Sequence, residues 1–524
     1  MTNTMDGLHT LGRWTSDRAI ATPARVAVDD RGVVVTYREL DERAEALAAR
    51  LRAAGYGVGD RIATLTGNSA DQVVLFFACA KAGLVLVPLS WRLSPRELAE
   101  QLQQADPAVL LVEEEFLSLG GEASALLVEP IPWGALGTRG IESRVPDPKR
   151  ALDEPAEHRA VRDDDPILII FTSGTVGQAK GAVLTHANCF WTNLALSRTA
   201  EIRAGDIVLA VMPQYHVGGW NVQPLLAWWT GATVVLERTF DPGRVLKLVQ
   251  ERRITTTMGV PANYLFLAEH PAFERSDLSS LQHAIVGGAP MPEPLLRTWH
   301  ARGVALTQGY GLTEASPNVL CLPDEDARTR VGMAGKPYPH VEVALADHVT
   351  GERLEGAATG ELLVRGPSVF PGYFRDPAST SETLIDGWLH TGDLVSRDAD
   401  GYYRVVDRIK DIFISGGESV SPVEIEGVLF GHPAVADAAV AGVPDERWGE
   451  RGVAWVVTRA GVSTDEQDLI EWCRGRLAGF KVPRAIRFVS EIPRSSTAKV
   501  MRRALAKRWT SESMATPAAQ EEAR

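Results

Sequence analysis

Between Ile167 and Gly181 the chain reads ILIIFTSGTVGQAKG, four aliphatic residues running into a loop of Gly, Ser, Thr and Lys. Ile167 to Ile170 spell a buried strand, and Phe171 leads out of it. A loop of this composition is built to hold phosphate. Gly174, Gly177 and Gly181 let backbone N–H groups turn inward, Thr172, Ser173 and Thr175 add hydroxyl donors, and Lys180 supplies a point charge. The Walker A loop needs Gly directly before its Lys and Ser or Thr directly after it. Here Ala179 precedes Lys180 and Gly181 follows it, so this is a phosphate loop of another kind. Thr185 to Ser197 (THANCFWTNLALS) then opens with a cap-like Thr before a helical pattern, so the loop is expected to abut a helix N-terminus.

A chain of 524 residues exceeds what one hydrophobic core supports, so at least two domains are expected. The formal net charge of −13 argues against nucleic acid or an anionic membrane as a main partner, because both demand a basic face. An anionic substrate must therefore be met by local positive charge. Cys79, Cys189, Cys321 and Cys473 are too widely spaced for a disulfide framework or a metal knuckle, which suits reduced thiols in a cytoplasmic protein. No targeting signal is evident, and no apolar run reaches the ~18 residues of a membrane span.

Along the chain, Val35 to Leu40 (VTYREL) is predicted to start a helix that stops at Gly55. Arg61 to Thr66 reads as a strand, Ala70 to Ala82 as an apolar helix ended by Gly83, and Leu84 to Leu89 as another strand. Strand, helix and strand with short connections point to a parallel sheet, hence an α/β fold. Residues 134–166 turn to Pro, Asp, Glu and Arg and read as an irregular connection. Two further strands, Ala284 to Gly288 and Ala305 to Thr307, are expected to end in Gly-rich turns where a ligand approaches the sheet.

Taken in order, VTYREL, the Thr172–Lys180 loop, PQYHVGGW, QGYGLTE, GWLHTGD, DRIK, ISGGESVSPVEIE and PRSSTAKVMRR resemble the landmarks of the adenylate-forming superfamily, which includes acyl-CoA synthetases, luciferases and adenylation domains. The resemblance implies a large N-terminal domain of stacked α/β subdomains, residues 1–407, and a small mobile α+β domain, 408–509. A hinge at Lys410 joins them, and a disordered tail follows at 510–524. It implies that the turn Gly288, Ala289 and Pro290 walls the adenine, that Gln308, Gly309, Tyr310 and Gly311 lie along it, and that Glu314 with Thr313 holds Mg²⁺. A hard cation is served by one carboxylate with phosphates and waters. Asp393 would accept from the ribose diol, although it also reads as a turn Asp, and Arg408 would reach the nucleotide.

His216, Val217, Gly218 and Trp220 match the acyl-pocket segment. Members that activate amino acids carry an Asp there, so His216 disfavours an amino acid, or simply packs the wall; Trp220 reads either as a tunnel gate or as plain core. Lys499 aligns with the lysine that serves adenylation, although Ala498 replaces the usual Gly before it, and Gly416, Gly417 and Glu418 form the loop that serves thioester formation. The activity implied is an ATP-dependent carboxylic acid–CoA ligase, with a medium- or long-chain fatty acid preferred over an aryl acid. Its cofactors would be ATP, Mg²⁺ and coenzyme A, and Thr175, Lys180, Glu314 and Lys499 would be its catalytic residues. The rivals are an acyl-AMP ligase loading an acyl carrier protein, a luciferase-like oxygenase and a non-catalytic binding protein. Oligomeric state stays open, a homodimer included.

Overall fold

A computed structural model describes residues 7–137, 139–149, 157–172, 179–494 and 500–514 of the protein. Two large sheets form the N-terminal domain. In one, Trp133–Ala135, Val109–Val112, Arg61–Leu65, Val85–Leu89 and Pro166–Thr172 run parallel, and Lys180–Thr185 then Gly372–Tyr373 extend that edge antiparallel. In the other, Leu306–Gly311, His283–Val286, Thr256–Gly259, Ile207–Ala210, Thr233–Leu236 and Val26–Asp30 are parallel. Val85–Leu89 is buried along its whole length, as a strand covered on both faces must be.

The helix Ala70–Ala82 exposes neither face. Every residue but Asp71 and Lys81 is buried, and its Phe76 and Phe77 join one core with Leu86 and Leu168 of the first sheet and Val208 and Val234 of the second. A helix apolar all round is stable only when surrounded, so this sequence dictates that two layers close on it. Ser69 caps its start by accepting from the Gln72 N–H.

A third sheet, antiparallel about Ala358–Arg365 and Trp388–Arg397, carries Tyr403–Arg408 at one edge. The chain then makes a single 3₁₀ turn, Ile409–Asp411, and enters the small domain at Phe413–Ser415. Lys410 lies in that turn. In the small domain the helices Pro422–Phe430 and Glu466–Arg474 cover one sheet face through Ile425, Leu429 and Leu469, and Leu505 of Arg502–Met514 packs on the other. This is the expected α/β architecture with a smaller α+β domain.

Four local expectations need correction. Val33–Thr36 is a strand paired with Val26–Asp30, and the helix begins only at Tyr37. Thr36 is the boundary: its hydroxyl accepts from the Glu39 N–H at 3.2 Å while the Glu39 carboxylate accepts from the Thr36 N–H at 2.8 Å. The β-branched run Val33–Val35 favours the extended form before it.

The helix His186–Ser197 does not follow the Thr172–Lys180 segment directly. Lys180–Thr185 returns antiparallel to Pro166–Thr172, and the helix starts only at the far end of that returning strand. Its Thr185 cap is real, but it serves Asn188 and not the loop. Likewise, Gln308 to Gly311 is strand and not turn, paired antiparallel with Asn318–Cys321. At the C-terminus the helix Arg502–Met514 runs past Trp509; residues 515–524 lie outside the described residues.

Candidate active site

The strand edges bring together residues far apart in sequence. Lys180 pairs with Thr172 across the hairpin, and the Thr172 hydroxyl donates to the Lys180 carbonyl at 3.4 Å. Ser173, Gly174, Thr175 and Gly177 lie outside the described residues. Opposite Ala182 stands Tyr373, which places its ring on the face that Lys180 shares, two residues along. The Lys180 Nζ lies 5.1 Å from that ring's centroid. The Tyr373 hydroxyl donates to Glu314 Oε1 at 2.8 Å, and the Phe370 N–H donates to the Glu314 carbonyl at 2.9 Å. Burial and the Glu314 carboxylate raise the Tyr373 pKa, so the phenol stays a donor.

Among the described residues Glu314 Oε2 accepts no hydrogen bond, and no cluster of three or more metal-ligating side chains exists. One half-buried carboxylate with an oxygen that accepts no hydrogen bond among the described residues, close to the strand that carries Lys180, suits a cation such as Mg²⁺ that draws its remaining ligands from phosphates and water.

Beside it lies a second set of contacts. Asp393, 3% exposed, accepts from the Tyr310 hydroxyl at 2.5 Å on Oδ2 and pairs with Arg408 Nε at 2.5 Å on Oδ1. Strand register places Asp393 directly opposite Arg408, and Thr391 Oγ1 accepts from the Asp393 N–H. Burial and Asp393 hold the Tyr310 phenol well above its ordinary pKa; burial works most strongly against the Arg408 cation, but Asp393, Tyr310, Glu314 and Asp411 together raise its pKa. Gly288, Ala289 and Pro290 form an exposed turn at the end of His283–Val286, and Gln308 Oε1 accepts from the adjoining Met291 N–H at 3.0 Å. Gly309 and Gly311 flank Tyr310 in its strand, and Thr313 begins the 3₁₀ turn that carries Glu314.

The PQYHVGGW segment is pinned by the turn before the central helix. The Gln214 N–H donates to Asn68 Oδ1, and Asn68 Nδ2 donates to the Met212 carbonyl. His216 is half-buried with its ring 4.5 Å from that of Tyr215. Trp220 is fully buried, stacked on Phe76 at 4.6 Å, with Nε1 donating to the Gln214 carbonyl. It is core. Val217 is buried too, and Gly218 borders a cavity of about 10 Å³ with Met212, Gly219, Gln223 and Met258.

In the small domain, Gly416 and Gly417 form the two-residue turn between Phe413–Ser415 and Glu418–Val420, with φ of +62° and +88°. Both values lie in the left-handed region, as a type I′ hairpin requires. A Cβ on Gly416 would come within 2.5 Å of the Trp448 ring, so only glycine fits there. Lys499 lies outside the described residues, but both ends of its segment are anchored. Arg494 bridges to Val500 and pairs with Asp437 at 2.9 Å; Arg502 Nη2 donates to both Glu426 oxygens at 2.7 Å.

Lys180, Glu314, Tyr310, Asp393 and Arg408 thus share one region, and Trp220 stands apart from it. Tyr373 was missed by sequence reasoning, although the PGYF run from Pro371 to Phe374 was its signal. Glu426 and Arg502 gave none, because burial of a charge is invisible in composition.

The profile of the family described as AMP-binding enzyme matches residues 16–374, and that of its C-terminal domain matches 424–499. A feruloyl-CoA synthase of Amycolatopsis sp is 39% identical over 499 residues, covering 95% of this chain and 99% of that protein. A fatty acid–acyl-carrier-protein ligase of Streptomyces coeruleorubidus is 37% identical over 524 residues, covering 97% of this chain and 99% of that one. The crystal structure of ATP-bound MatB from Rhodopseudomonas palustris superposes with a TM-score of 0.86 at 30% identity, covering 96% of this chain and 99% of that one. The chain belongs to the AMP-binding enzyme family, the adenylate-forming enzymes, and is an AMP-forming acid–thiol ligase.

Proposed function

We propose that this protein activates a ring-bearing, aryl or arylalkenoic, carboxylic acid with ATP and transfers the acyl group to coenzyme A. The carboxylate oxygen attacks the α-phosphorus, the bond to the bridging oxygen breaks, and pyrophosphate leaves; the CoA sulfur then attacks the acyl carbon and AMP leaves. Carboxylate and polyphosphate repel, so the chain must supply positioning and positive charge. Lys180 would hold the outgoing phosphates together with the hydroxyls of Thr172, Ser173 and Thr175. Asp393 would accept from the ribose diol, Tyr310 would lie along the adenine, and Arg408 would bind the nucleotide. Glu314 and Thr313 would hold Mg²⁺, which neutralises charge on the phosphate oxygens. Lys499 would bridge the carboxylate and the α-phosphate, and rotation about Lys410 would exchange it for the Gly416–Glu418 hairpin. The observation that carries this reading is the meeting of Lys180, Tyr373 and Glu314 at one sheet edge beside Asp393 and Arg408.

The ring-bearing acid is favoured because Trp220 is sealed into the core against Phe76 and so does not stand as a tunnel gate. The similarity to a feruloyl-CoA synthase points the same way. A medium- or long-chain fatty acid, with CoA or a carrier protein as acceptor, is the second reading, favoured by the similarity to the carrier-protein ligase.

Pyrophosphate release across hydroxycinnamic, arylacetic, C8–C16 and α-amino acids, with CoA or a carrier protein as acceptor, tests both. Aryl acids should exceed fatty acids in kcat/KM by about tenfold or more, and amino acids should be poorest, since His216 leaves an ammonium without an anion. A palmitate preference overturns the first reading in favour of the second.

A further inference from the structure

We propose that Tyr373 is a positioning residue for adenylation, holding the Glu314 carboxylate toward the metal and the Lys180 ammonium toward phosphate. The inference deepens the reading of Glu314 given above and rests on it. Tyr373 touches both charged groups at once: its hydroxyl donates to Glu314 Oε1 at 2.8 Å, and its ring face meets Lys180 Nζ at 5.1 Å. The ring face attracts the ammonium while the hydroxyl at the ring's end holds the carboxylate, so one side chain gives each charged group its own anchor. With Oε1 held, Oε2 is the oxygen left for a metal, so one hydrogen bond selects the carboxylate's orientation.

The backbone is built to fix this tyrosine. Its N–H donates to Thr380 Oγ1 at 2.9 Å, and the Phe374 N–H donates to the Gly181 carbonyl at 2.7 Å, so both sides of Tyr373 are tied down. Phe370 meets its ring edge-on at 4.9 Å while its own N–H holds the Glu314 backbone. Gly372 has φ of +147°, and a Cβ there would come within 2.6 Å of Thr380, so the approach that seats Tyr373 requires glycine. The segment from Phe370 to Phe374 therefore wraps Glu314 and ends against the strand that carries Lys180.

Calorimetric binding of ATP, with Mg²⁺ and with EDTA, separates the two contacts in wild type, Tyr373→Phe, Tyr373→Leu, Glu314→Gln and Tyr373→Phe/Glu314→Gln. Tyr373→Phe keeps the ring and loses only the donor, so MgATP should bind about tenfold more weakly while metal-free ATP is unchanged. Tyr373→Leu should weaken metal-free ATP as well. On the Glu314→Gln background, Tyr373→Phe should add nothing, since the two act through one oxygen. An equal loss with and without metal, a wild-type affinity for MgATP, or additivity with Glu314→Gln overturns the positioning role. If Glu314→Gln itself leaves MgATP binding intact, the metal reading of Glu314 falls and takes this one with it, an outcome distinct from failure of Tyr373→Phe alone.

Discussion

At the sheet edge Glu314, Lys180 and Arg408 are half-buried, whereas in the small domain Glu426 and Arg502 are sealed against each other. Glu426 is 8% exposed and also accepts from the Val440 N–H at 2.8 Å. Close by, buried Asp407 accepts from the Ser421 hydroxyl at 2.6 Å and from the Val423 N–H, gripping the start of Pro422–Phe430 from just before the Ile409–Asp411 turn. Charges left open at an edge can exchange partners with a ligand. Charges that are closed off hold a shape, here the strand Tyr403–Arg408, the first helix of the small domain and the helix Arg502–Met514. The same residue types are thus open to exchange in one place and fixed as architecture in the other, and the difference is solvent access.

The largest effect expected is at Lys499, which lies outside the described residues and is proposed above to serve adenylation. Lys499→Ala should lower acyl-AMP formation by at least about 10²-fold and leave thioester formation from pre-made acyl-AMP nearly intact. Lys410→Pro should do the reverse, because φ fixed near about −65° in the Ile409–Asp411 turn restricts rotation but not the adenylating state. Pyrophosphate exchange and thioester yield from synthetic adenylate measure the steps separately, and equal loss of both steps in both variants would count against alternation of the two domains.

Next come two truncations that set the open and sealed charges against each other. Arg502→Ala leaves Glu426 buried without its cation and should cost about 3–5 kcal/mol of stability in denaturant unfolding; Glu426→Leu with Arg502→Met should recover most of it. Lys180→Ala should leave unfolding unchanged and cost about 1.5–3 kcal/mol in MgATP or transition-state binding. A stability loss at Lys180, or none at Arg502, would break the distinction between the two kinds of pair.

Much of the architecture is legible in the chain because its signals are local. Ala70–Ala82 carries its own cap, its own stop and an apolar circumference, so type, bounds and burial follow together. The hairpin is illegible for a physical reason: Lys180–Thr185 is short and leads straight into a helix cap, and its strand character comes from pairing with Pro166–Thr172, which lies outside it in sequence. The open site is legible too, since Gly-rich and acidic landmarks there stand out against apolar strands. Tyr373, Glu426 and Arg502 escape because each matters only through a partner dozens of residues away, 59 in the case of Glu314 and Tyr373 and 76 for Glu426 and Arg502.

The smallest effect expected is on pH dependence, and it separates the domains by sign. Burial pushes the Glu426 carboxyl up to about 7 despite Arg502, the Val440 N–H and Arg494, with Asp407 adding to the rise. Between the ordinary value of 4.5 and about 7, the folded chain holds a proton that the unfolded chain has released. Its contribution to stability therefore falls as pH rises through that window. In the large domain, burial pushes His186 down to about 4 against the pull of Asp165 and Asp163, and its Nδ1 accepts from the Leu11 N–H. Between about 4 and 6.5 the unfolded chain binds a proton that the folded chain refuses, so this contribution falls as pH drops through the window. Across the shared range the two oppose each other, which keeps the change in global stability small. Hydrogen exchange resolved by peptide, corrected for the intrinsic pH dependence of exchange, should show the small domain loosening from pH 5 to 8 and the region around His186–Ser197 loosening from pH 7 to 4.5. Glu426→Gln should flatten the first trend alone and His186→Gln the second alone; if either substitution flattens both, the two domains share one titrating core and the contrast between sealed and open charge does not follow the domain boundary.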